Sequence, residues 1–431
     1  MEMILLFGLL FLFIFMGMQV PLALAGSLVV TLLLAFPYLD PIIVVQKSVG
    51  AMARAWPLLT IPLFIMLGEI FKVGRMSTRI VDVTNIFVGR LPGGLAIVNI
   101  VSSYFFGGIS GSATADTSAI GGIMIPLMKK QGYSSSFSTV VTITSSTLGP
   151  IVPPSVLVIL ISWVTEQSVG MLFLAGYLPA LISMLGMIAV AVIISKKRGY
   201  PRQPTPPFRE AVRICTDALP VLVTPFIIVG AIVSGLVTIV ESAVVALAWA
   251  LFITVVWYRE FAWRDLGTVM HNTVATTAFV GMLLALASAF AWLVTFSGVP
   301  QQVSDLLVQY NVGRFGFFAA SIAIFLVLGT FLNAGEVVLM VMPILFPAAL
   351  SVGIDPIHFC MIAALAMVIG NVTPPVGLCL FIGCAISGDK IEDLIRPLVP
   401  FLAVMVAVIV LLTLVPSVVL WLPETFGYVP K

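Results

Sequence analysis

The chain has 431 residues, of which 61% are hydrophobic and 9% are charged, and its formal net charge is +2. So few polar side chains cannot cover a water-soluble protein of this length, which excludes a soluble enzyme or nucleic-acid-binding protein. Apolar runs of roughly 17 to 25 residues recur from end to end, and each can cross a hydrocarbon core about 30 Å thick. The sequence therefore predicts an all-α polytopic membrane protein with a single membrane domain.

Residue types that carry hydrolytic or metal chemistry are few and scattered along the chain. The cysteines lie singly in or near apolar runs and are expected to be small buried hydrophobic residues: Cys215, Cys360, Cys379 and Cys384. The histidines, His271 and His358, have no plausible nucleophile or carboxylate pair beside them. Because a glycine-lysine phosphate loop is also missing, the sequence predicts neither an enzyme nor an ATP-driven pump.

The N-terminal region, residues 1–56, is predicted to hold scaffold spans. Its first apolar run, residues 4–18, lacks a basic start and a small-residue cleavage site, so we interpret it as a retained span and not a signal peptide. A further span at residues 58–71 ends beside Lys72 and Arg75. These two basic residues predict that this end of the span faces the cytoplasm.

A re-entrant helical hairpin is predicted at about residues 92–131. The most basic stretch of the chain, residues 196–213, is assigned to the cytoplasm because positively charged loops stay on that side. Counting spans back from this stretch places Arg90 and Lys129, which flank the hairpin segment, on the same side of the membrane. A segment that enters and leaves on one face, with a Gly/Ser-rich middle, is typical of a re-entrant hairpin.

The remaining segments complete a two-repeat arrangement. Its predicted parts are repeat 1 at residues 57–195, a cytoplasmic loop at 196–216, scaffold spans at 217–265 and repeat 2 at 266–431. Repeat 1 continues after its hairpin with a broken helix at about 136–164, and repeat 2 holds a hairpin at about 315–351 and a broken helix at about 356–387. Counting spans forward makes the second hairpin open to the side opposite the first. Both chain termini are then predicted to be periplasmic.

The two repeats can be matched letter by letter at a constant spacing of 221 residues. The first set is Gly108, Ala113, Ile123, Pro126, Gly132, Gly149, Pro153 and Pro154, and the second is Gly329, Ala334, Ile344, Pro347, Gly353, Gly370, Pro374 and Pro375. Single glycines coincide easily, but paired prolines with a glycine four residues earlier do not. An inverted repeat with broken helices is typical of a secondary transporter whose binding site lies near the bilayer midplane.

Glycine, serine and proline interrupt the predicted helices in mid-membrane at residues 106–122, 147–155, 329–338 and 369–377. Lipid offers no hydrogen-bond partner, so the freed backbone groups need partners elsewhere. Clustered carbonyl groups suit a cation, and the positive N-terminus of a helix attracts an anion. Close helix packing explains an isolated glycine or serine, whereas two symmetry-related clusters favour a binding site.

Carboxylates within the predicted spans are few. Asp116 and Glu336 lie near the hairpin tips, where each can either bind a proton or an ion or cap the first helical turn, and the sequence leaves both roles open. Glu69 and Glu241 lie in other spans and are expected to form hydrogen bonds between helices.

Two segments, residues 76–88 and 299–309, follow corresponding spans in the two repeats and mix charged with apolar positions. They are predicted to be amphipathic helices at the membrane interfaces. Such helices suit arms that link a moving core to a fixed frame, although immobile surface helices would show the same pattern.

The run GGISGSATADTSAIGGIMIPLMKKQGYS, the downstream LGPIVPPS and the later GLVTIVESA resemble the large membrane subunit of the tripartite ATP-independent periplasmic (TRAP) transporters. The resemblance covers essentially the whole chain. Gly235, Thr238 and Glu241 fit the G-x-x-T-x-x-E pattern of that family, and Ser242 stands where alanine is more usual. The resemblance implies a sodium symporter of the elevator type in a bacterial inner membrane. It also implies two partners, a small four-helix membrane subunit and a soluble periplasmic binding protein that delivers acidic solutes.

The inverted symmetry predicts two sodium sites, one in each repeat. The first is expected near Ser110, Gly149, Val152 and Pro153, and the second near Gly329, Gly335, Gly370 and Thr373. The substrate carboxylate is expected between the hairpin tips, near Ser110, Ser112, Ser155 and Asn333.

The resemblance leaves the substrate open among sialic acids, four-carbon dicarboxylates, keto acids and sugar acids. We favour a sialic acid, with dicarboxylates next, because no arginine obviously faces the tips to bind a second carboxylate. An anion channel without sodium coupling is the alternative class, because a channel can also line its pore with helix N-termini and hydroxyl groups.

Overall fold

The computed structural model describes residues 2–54, 59–204 and 206–430. Within these residues the fold consists of helices and connecting loops, without a β-strand. Seven of the described helices are long and apolar enough to cross a membrane. The structure thus confirms an all-α polytopic membrane protein.

The helices of the first half are α1 Glu2–Phe15, α2 Val20–Ala35, α3 Ile42–Arg54, α4 Thr60–Val73, α5 Met76–Val88, α6 Gly94–Ser110, α7 Ala113–Lys130, α8 Ser135–Ser146, α9 Val156–Thr165 and α10 Val169–Arg198. Those of the second half are α11 Phe208–Val233, α12 Ile239–Leu251, α13 Trp263–Phe296, α14 Val299–Gln309, α15 Arg314–Phe331, α16 Ala334–Ser351, α17 Pro356–Gly370, α18 Leu378–Ser387, α19 Ile391–Leu414 and α20 Pro416–Thr425. A π-helical segment, Phe252–Trp257, continues α12.

The internal repeat extends to the helix boundaries. Helices α7 and α16 have the same bounds once the 221-residue spacing is applied. For the other helix pairs, α5 to α9 with α14 to α18, adding 221 to the bounds of the first helix gives the bounds of the second within about three residues. Both predicted amphipathic segments are observed as α5 and α14. Each half therefore repeats one order of elements: interface helix, hairpin, broken helix.

The first hairpin, α6–α7, opens at the Arg198 end of the long helix α10. Gly93, just before α6, lies against the Ser195 side chain, and Tyr133, just after α7, stacks on Tyr200 with ring centroids 4.2 Å apart. Both bases of the hairpin thus lie on one face of the molecule, here named the basic face for the Lys196–Arg198 run at the end of α10.

The second hairpin, α15–α16, opens at the other end of α10. Cys360 near its base donates to Thr165, 3.8 Å away, just before α10 begins. Asp355, which follows α16, accepts a 2.8 Å hydrogen bond from Tyr428, and Phe426 lines one pocket with Ser168. Because α10 has 30 residues and so is about 45 Å long, the two hairpins enter the molecule from opposite faces. The second face is named the Asp355 face.

The N-terminal part forms short apolar helices where spans are predicted. Most of the run at 4–18 lies in the 14-residue helix α1, about 21 Å long, and the chain turns at Gly17 with φ of +85°. Helix α1 packs on α2 as an antiparallel pair. The predicted span at 58–71 is the short helix α4, and Leu58, its expected start, lies outside the described residues.

Helices α3 and α4 pack one after the other along α13. Lys47 lies over the Trp292 ring at 5.1 Å, Met52 lies against Gly281, and the Asn272 amide donates to Glu69 at 2.8 Å. The two shorter helices α3 and α4 therefore run in succession along the 34-residue helix α13. The last contact also confirms the expected hydrogen bond between helices for Glu69.

The expectation of an interhelical bond for Glu241 is wrong. Its carboxylate accepts from the Thr238 backbone N–H at 2.7 Å and from the Thr238 hydroxyl at 2.9 Å, forming a capping box at the start of α12. A carboxylate at the third helical position satisfies backbone donors that have no partner inside the helix. Glu241 therefore stabilises its own helix.

Candidate transport site

A cavity of about 440 Å³ lies where the tips of the two hairpins meet. From the hairpins and broken helices it is lined by Phe106, Ser110, Gly111, Ser112, Ala113, Thr114, Ala115, Ser118, Ala119, Pro150, Val156, Leu157, Leu160, Asn333, Ala334, Gly335, Glu336 and Asn371. The other wall comes from α4 and α13, with Ile65, Gly68, Glu69, Lys72, Thr276, Phe279, Val280 and Leu283. We call the hairpins with α8, α9, α17 and α18 the core, and α4 with α13 the frame wall.

Two helix N-termini point into this cavity. Helix α7 begins at Ala113 after its N-cap Ser112, and α16 begins at Ala334 after its N-cap Asn333. The first N–H groups of a helix lack partners inside the helix, and the helix dipole makes that end positive. Because the two hairpins come from opposite faces, their positive ends converge on one space. This arrangement suits a carboxylate.

Three of the four predicted substrate residues lie in the cavity wall. The Ser110 hydroxyl is buried and has no hydrogen-bond partner among the described residues. Ser112 caps α7 by accepting the Ala115 N–H at 3.4 Å, and the Asn333 side chain accepts the Gly335 N–H at 3.4 Å. The Ser112 hydroxyl also shares a 3.1 Å hydrogen bond with the Thr114 hydroxyl, and a ligand at the tips could replace these long cap bonds.

Ser155, the fourth, lies outside the cavity lining, between the lining residues Pro150 and Val156. It is fully buried. Its hydroxyl donates to the Pro150 carbonyl, and its oxygen accepts the Val158 N–H at 3.3 Å as the N-cap of α9. The side chain already satisfies local backbone groups, so its position favours a structural role.

The predicted residues of the first sodium site are brought together. A Cβ built on Gly149 would stand 3.3 Å from the Ser112 carbonyl oxygen, and one built on Gly108 would stand 3.1 Å from the Pro153 carbonyl oxygen. Gly111 turns the tip with φ of +60° and lies against the Pro154 carbonyl. Glycine is needed at these contacts because the hairpin tip and the break touch through backbone atoms. Val152 and Ser110 lie in the same region.

The second predicted sodium site is assembled only in part. Gly329 and Gly370 are in backbone contact, since a Cβ on Gly370 would lie 2.5 Å from the Gly329 Cα. Thr373 in the following break donates its hydroxyl hydrogen to the Ile369 carbonyl at 2.8 Å, which leaves its oxygen lone pairs free. Gly335 instead lies against Leu160 and lines the cavity. Both breaks hold a cis peptide bond between their paired prolines.

The two tip carboxylates differ in their partners. Glu336 accepts the Asn333 N–H at 3.0 Å in a capping box, so it stabilises the start of α16. Asp116 is fully buried beside the Ser103 and Ser146 hydroxyls, and neither of its carboxylate oxygens forms a hydrogen bond of normal geometry within the described part of the chain. The nearby Ser146 hydroxyl donates to the Thr142 carbonyl and therefore presents an oxygen to its surroundings. Capping is thus observed for Glu336 and not for Asp116.

Several polar residues of the cavity wall carry no site signal in the sequence. Lys72 reads there as the basic end of a span, and neither Thr276 of the frame wall nor Asn371 of the second break stands out. Lys72 Nζ lies 3.7 Å from the Glu69 carboxylate, and the Asn371 side-chain oxygen is buried without a partner among the described residues. Glu69 and Asn272 are 203 positions apart, so no local pattern could have indicated their meeting.

The cavity extends from the hairpin tips toward the basic face. Lys72 lies in the last turn of α4, and Arg79, which follows the turn after α4, pairs with Asp217 and Glu260. On the opposite side, α16 packs against both α9 and α13. The cavity lining therefore extends from the tips to Lys72 on the side of the basic face, whereas α9 and α13 pack on α16 on the side of the Asp355 face.

Opposed hairpins, two broken helices and a shared midline cavity define a secondary transporter built from an inverted repeat. Residues 7–418 match the family model described as tripartite ATP-independent periplasmic transporter, DctM component. The chain belongs to this family, which confirms the resemblance seen in the sequence. The family is one of transporter permeases and not of enzymes.

Similar proteins come from several bacteria. The uncharacterized protein YgiK of Salmonella typhimurium is 33% identical over 98% of both chains. The sialic acid TRAP transporter large permease protein SiaM of Vibrio cholerae is 34% identical over 89% of this chain and 90% of its own. The C4-dicarboxylate TRAP transporter large permease protein DctM of Pseudomonas aeruginosa is 32% identical over 94% of both.

Proposed function

We propose that this chain is the large permease of a sodium-coupled importer of a small organic anion. The observation that carries the proposal is the convergence of the α7 and α16 N-termini on one cavity, beside the two Gly/Pro breaks. Positive helix ends attract the anion, and the carbonyl oxygens of the breaks suit a hard monovalent cation. Binding of both in one place couples their movement.

A sialic acid is the favoured substrate, and a C4-dicarboxylate is the next candidate. Relatives named for each are about equally similar to this chain, so identity does not choose between them. Among the described residues, the charged residues that line the cavity are Glu69, Lys72 and Glu336, so two carboxylates and one ammonium group face the substrate. A monocarboxylate with many hydroxyl groups therefore fits this wall better than a dicarboxylate does.

The basic face is proposed to be cytoplasmic, because Lys196, Lys197 and Arg198 end α10 there and a basic loop follows. Both chain termini are then periplasmic, and the membrane is the bacterial inner membrane. With this orientation the cavity opens inward. We propose that the core carries the substrate as an elevator against the frame wall.

Two partners complete the proposed system: a small membrane subunit and a soluble periplasmic binding protein. The word tripartite in the description of the family supports three components. The binding protein would deliver the anion at the Asp355 face.

The test is uptake into proteoliposomes that contain this chain with its small subunit, with the binding protein added outside. N-acetylneuraminate and succinate are offered separately, with an inward sodium gradient, with equal sodium on both sides, or without sodium. We expect accumulation of one anion above its external concentration only under the sodium gradient. Equilibration without sodium would favour the anion channel instead, and full-rate saturable uptake without the partners would contradict the three-component proposal.

A further inference from the structure

Lys72 places a positive charge in the wall that faces the hairpin tips. Among the described residues it is the one cation that lines the cavity. Its side chain is 60% exposed and lies 3.7 Å from the Glu69 carboxylate, which is 22% exposed. An ammonium group has three hydrogen-bond donors, so Lys72 retains donors for a ligand after pairing with Glu69.

Glu69 is itself held in place from the frame wall. The Asn272 amide of α13 donates to Glu69 Oε2 at 2.8 Å, and Lys72 lies beside Oε1. The carboxylate is therefore held by the Asn272 amide, and the Lys72 ammonium lies beside it, one turn nearer the basic face. The pair also limits the positive charge of the wall, so that an anion reaching Lys72 is not held tightly.

We propose that Lys72 is a release-side anion-binding residue of the transporter. It receives the substrate carboxylate as the anion leaves the hairpin tips for the basic face, and Glu69 weakens this second contact so that release can finish. The proposal rests on the proposed function. Because the tips belong to the core and Lys72 to the frame wall, the substrate meets Lys72 only when the core lies toward the basic face.

A simpler role for Lys72 is that of a basic residue in the last turn of α4, where it would complement the negative end of the helix dipole. In that role the loss of Lys72 and the loss of Glu69 would both weaken the same ion pair. They would then change transport in the same direction. In the proposed role the two changes alter the charge of the cavity in opposite directions, which makes the roles distinguishable.

The first experiment measures the cavity charge without any transport. Cys215 and Cys384, the partly exposed cysteines, are replaced by alanine, and Ser118→Cys places a thiol in the cavity wall on α7. Its reaction rates with an anionic (sulfonatoethyl) and a cationic (trimethylammonioethyl) methanethiosulfonate are compared as a ratio. The thiolate fraction cancels in this ratio because both reagents react with the thiolate.

We expect Lys72→Ala to lower the anionic-to-cationic ratio about five-fold and Glu69→Gln to raise it by a similar factor, as for a unit charge several ångströms away in a partly hydrated cavity. Lys130→Ala, which removes an exposed charge outside the cavity lining, is the control and should leave the ratio unchanged. A ratio in Lys72→Ala equal to that of the control overturns the proposal. This readout remains valid if no sodium-coupled uptake is found.

The second experiment separates the two sides of the membrane in the proteoliposomes of the uptake test. We expect Lys72→Ala to slow efflux of the preloaded anion several-fold while the external concentration for half-maximal uptake stays within two-fold of wild type. Lys72→Arg, which keeps the charge, should restore efflux, and Glu69→Gln should raise the affinity measured from the inside. The proposal would be overturned if Lys72→Ala changed the half-saturating anion concentration equally on both sides of the membrane. It would also be overturned if Lys72→Ala and Glu69→Gln changed transport in the same direction, because a purely structural ion pair predicts both results.

Discussion

Single hydroxyl groups at the site differ in whether their hydrogen-bonding capacity is already used. Ser110 and Ser155 are both buried serine hydroxyls beside the first break, and the sequence pattern does not separate them. The Ser155 hydroxyl donates to Pro150 and caps α9. The Ser110 hydroxyl lines the cavity and has no partner among the described residues. Helix capping is therefore observed for Ser155, and ligand binding stays a prediction for Ser110.

The pair provides a test in which each serine is the control for the other. We expect Ser110→Ala to raise the half-saturating substrate or sodium concentration about ten-fold, because a hydrogen bond to a charged group contributes roughly 1.5 to 3 kcal/mol. Ser155→Ala should instead lower the thermal stability of the purified protein, because loss of an N-cap costs about 1 kcal/mol. Uptake titrations and melting by size-exclusion chromatography check both. The reverse pattern would place Ser155 at the ligand.

Packing between elements depends on glycine where a hairpin arm crosses a broken helix. Gly329 of α15 and Gly370 of α17 touch through their backbones, and Gly107 of α6 and Gly149 touch in the same way in the first repeat. Without side chains the helices approach closely enough for the tip and the break to share one site. The glycine of the break recurs at the repeat spacing, Gly149 with Gly370, whereas its partner differs by one position: Gly107 in the first repeat, but in the second Gly329, which is the counterpart of Gly108.

We expect Gly370→Ala to destabilise the protein strongly, because the new Cβ would lie 2.5 Å from the Gly329 Cα and neither backbone can move away easily. Gly122→Ala in α7 is the matched control, since a Cβ there meets no atom within 4 Å. The control should be neutral or more stable, because alanine favours a helix over glycine by about 1 kcal/mol. Melting temperatures in detergent measure both variants. Equal melting temperatures would mean that the two helices separate easily at this crossing.

Over the whole molecule, the opposed hairpins allow the tips to meet while their bases lie on different faces. The cavity lining extends from the tips to Lys72 on the side of the basic face, and α9 and α13 pack on α16 on the side of the Asp355 face. In an alternating-access transporter this asymmetry would have to reverse. In the proposed elevator, the frame wall of α4 and α13 is the surface against which the core would move.

The proposed orientation can be checked with single cysteines in the Cys215→Ala, Cys384→Ala background. We expect a membrane-impermeant maleimide added to intact cells to label Ser351→Cys, at the base of the second hairpin. It should leave Lys130→Cys, at the base of the first, unlabelled until the membrane is permeabilised. Both side chains are exposed. Labelling of position 130 in intact cells would show that the orientation is the opposite of the proposed one, while the fold would stay as described.

The local pattern of the sequence by itself determined the hairpins, the breaks and the 221-residue repeat, because apolar length, glycine and proline act on the backbone within a few residues of where they stand. Only the tertiary structure decided which polar groups face the cavity. Ser155 and Glu241 satisfy their own helices, whereas Glu69, with Lys72 one turn further along α4, meets Asn272 from 203 positions away. The residue type of a hydrogen-bonding side chain does not reveal whether its partner is local or distant. Its role therefore depends on which groups the fold brings near it.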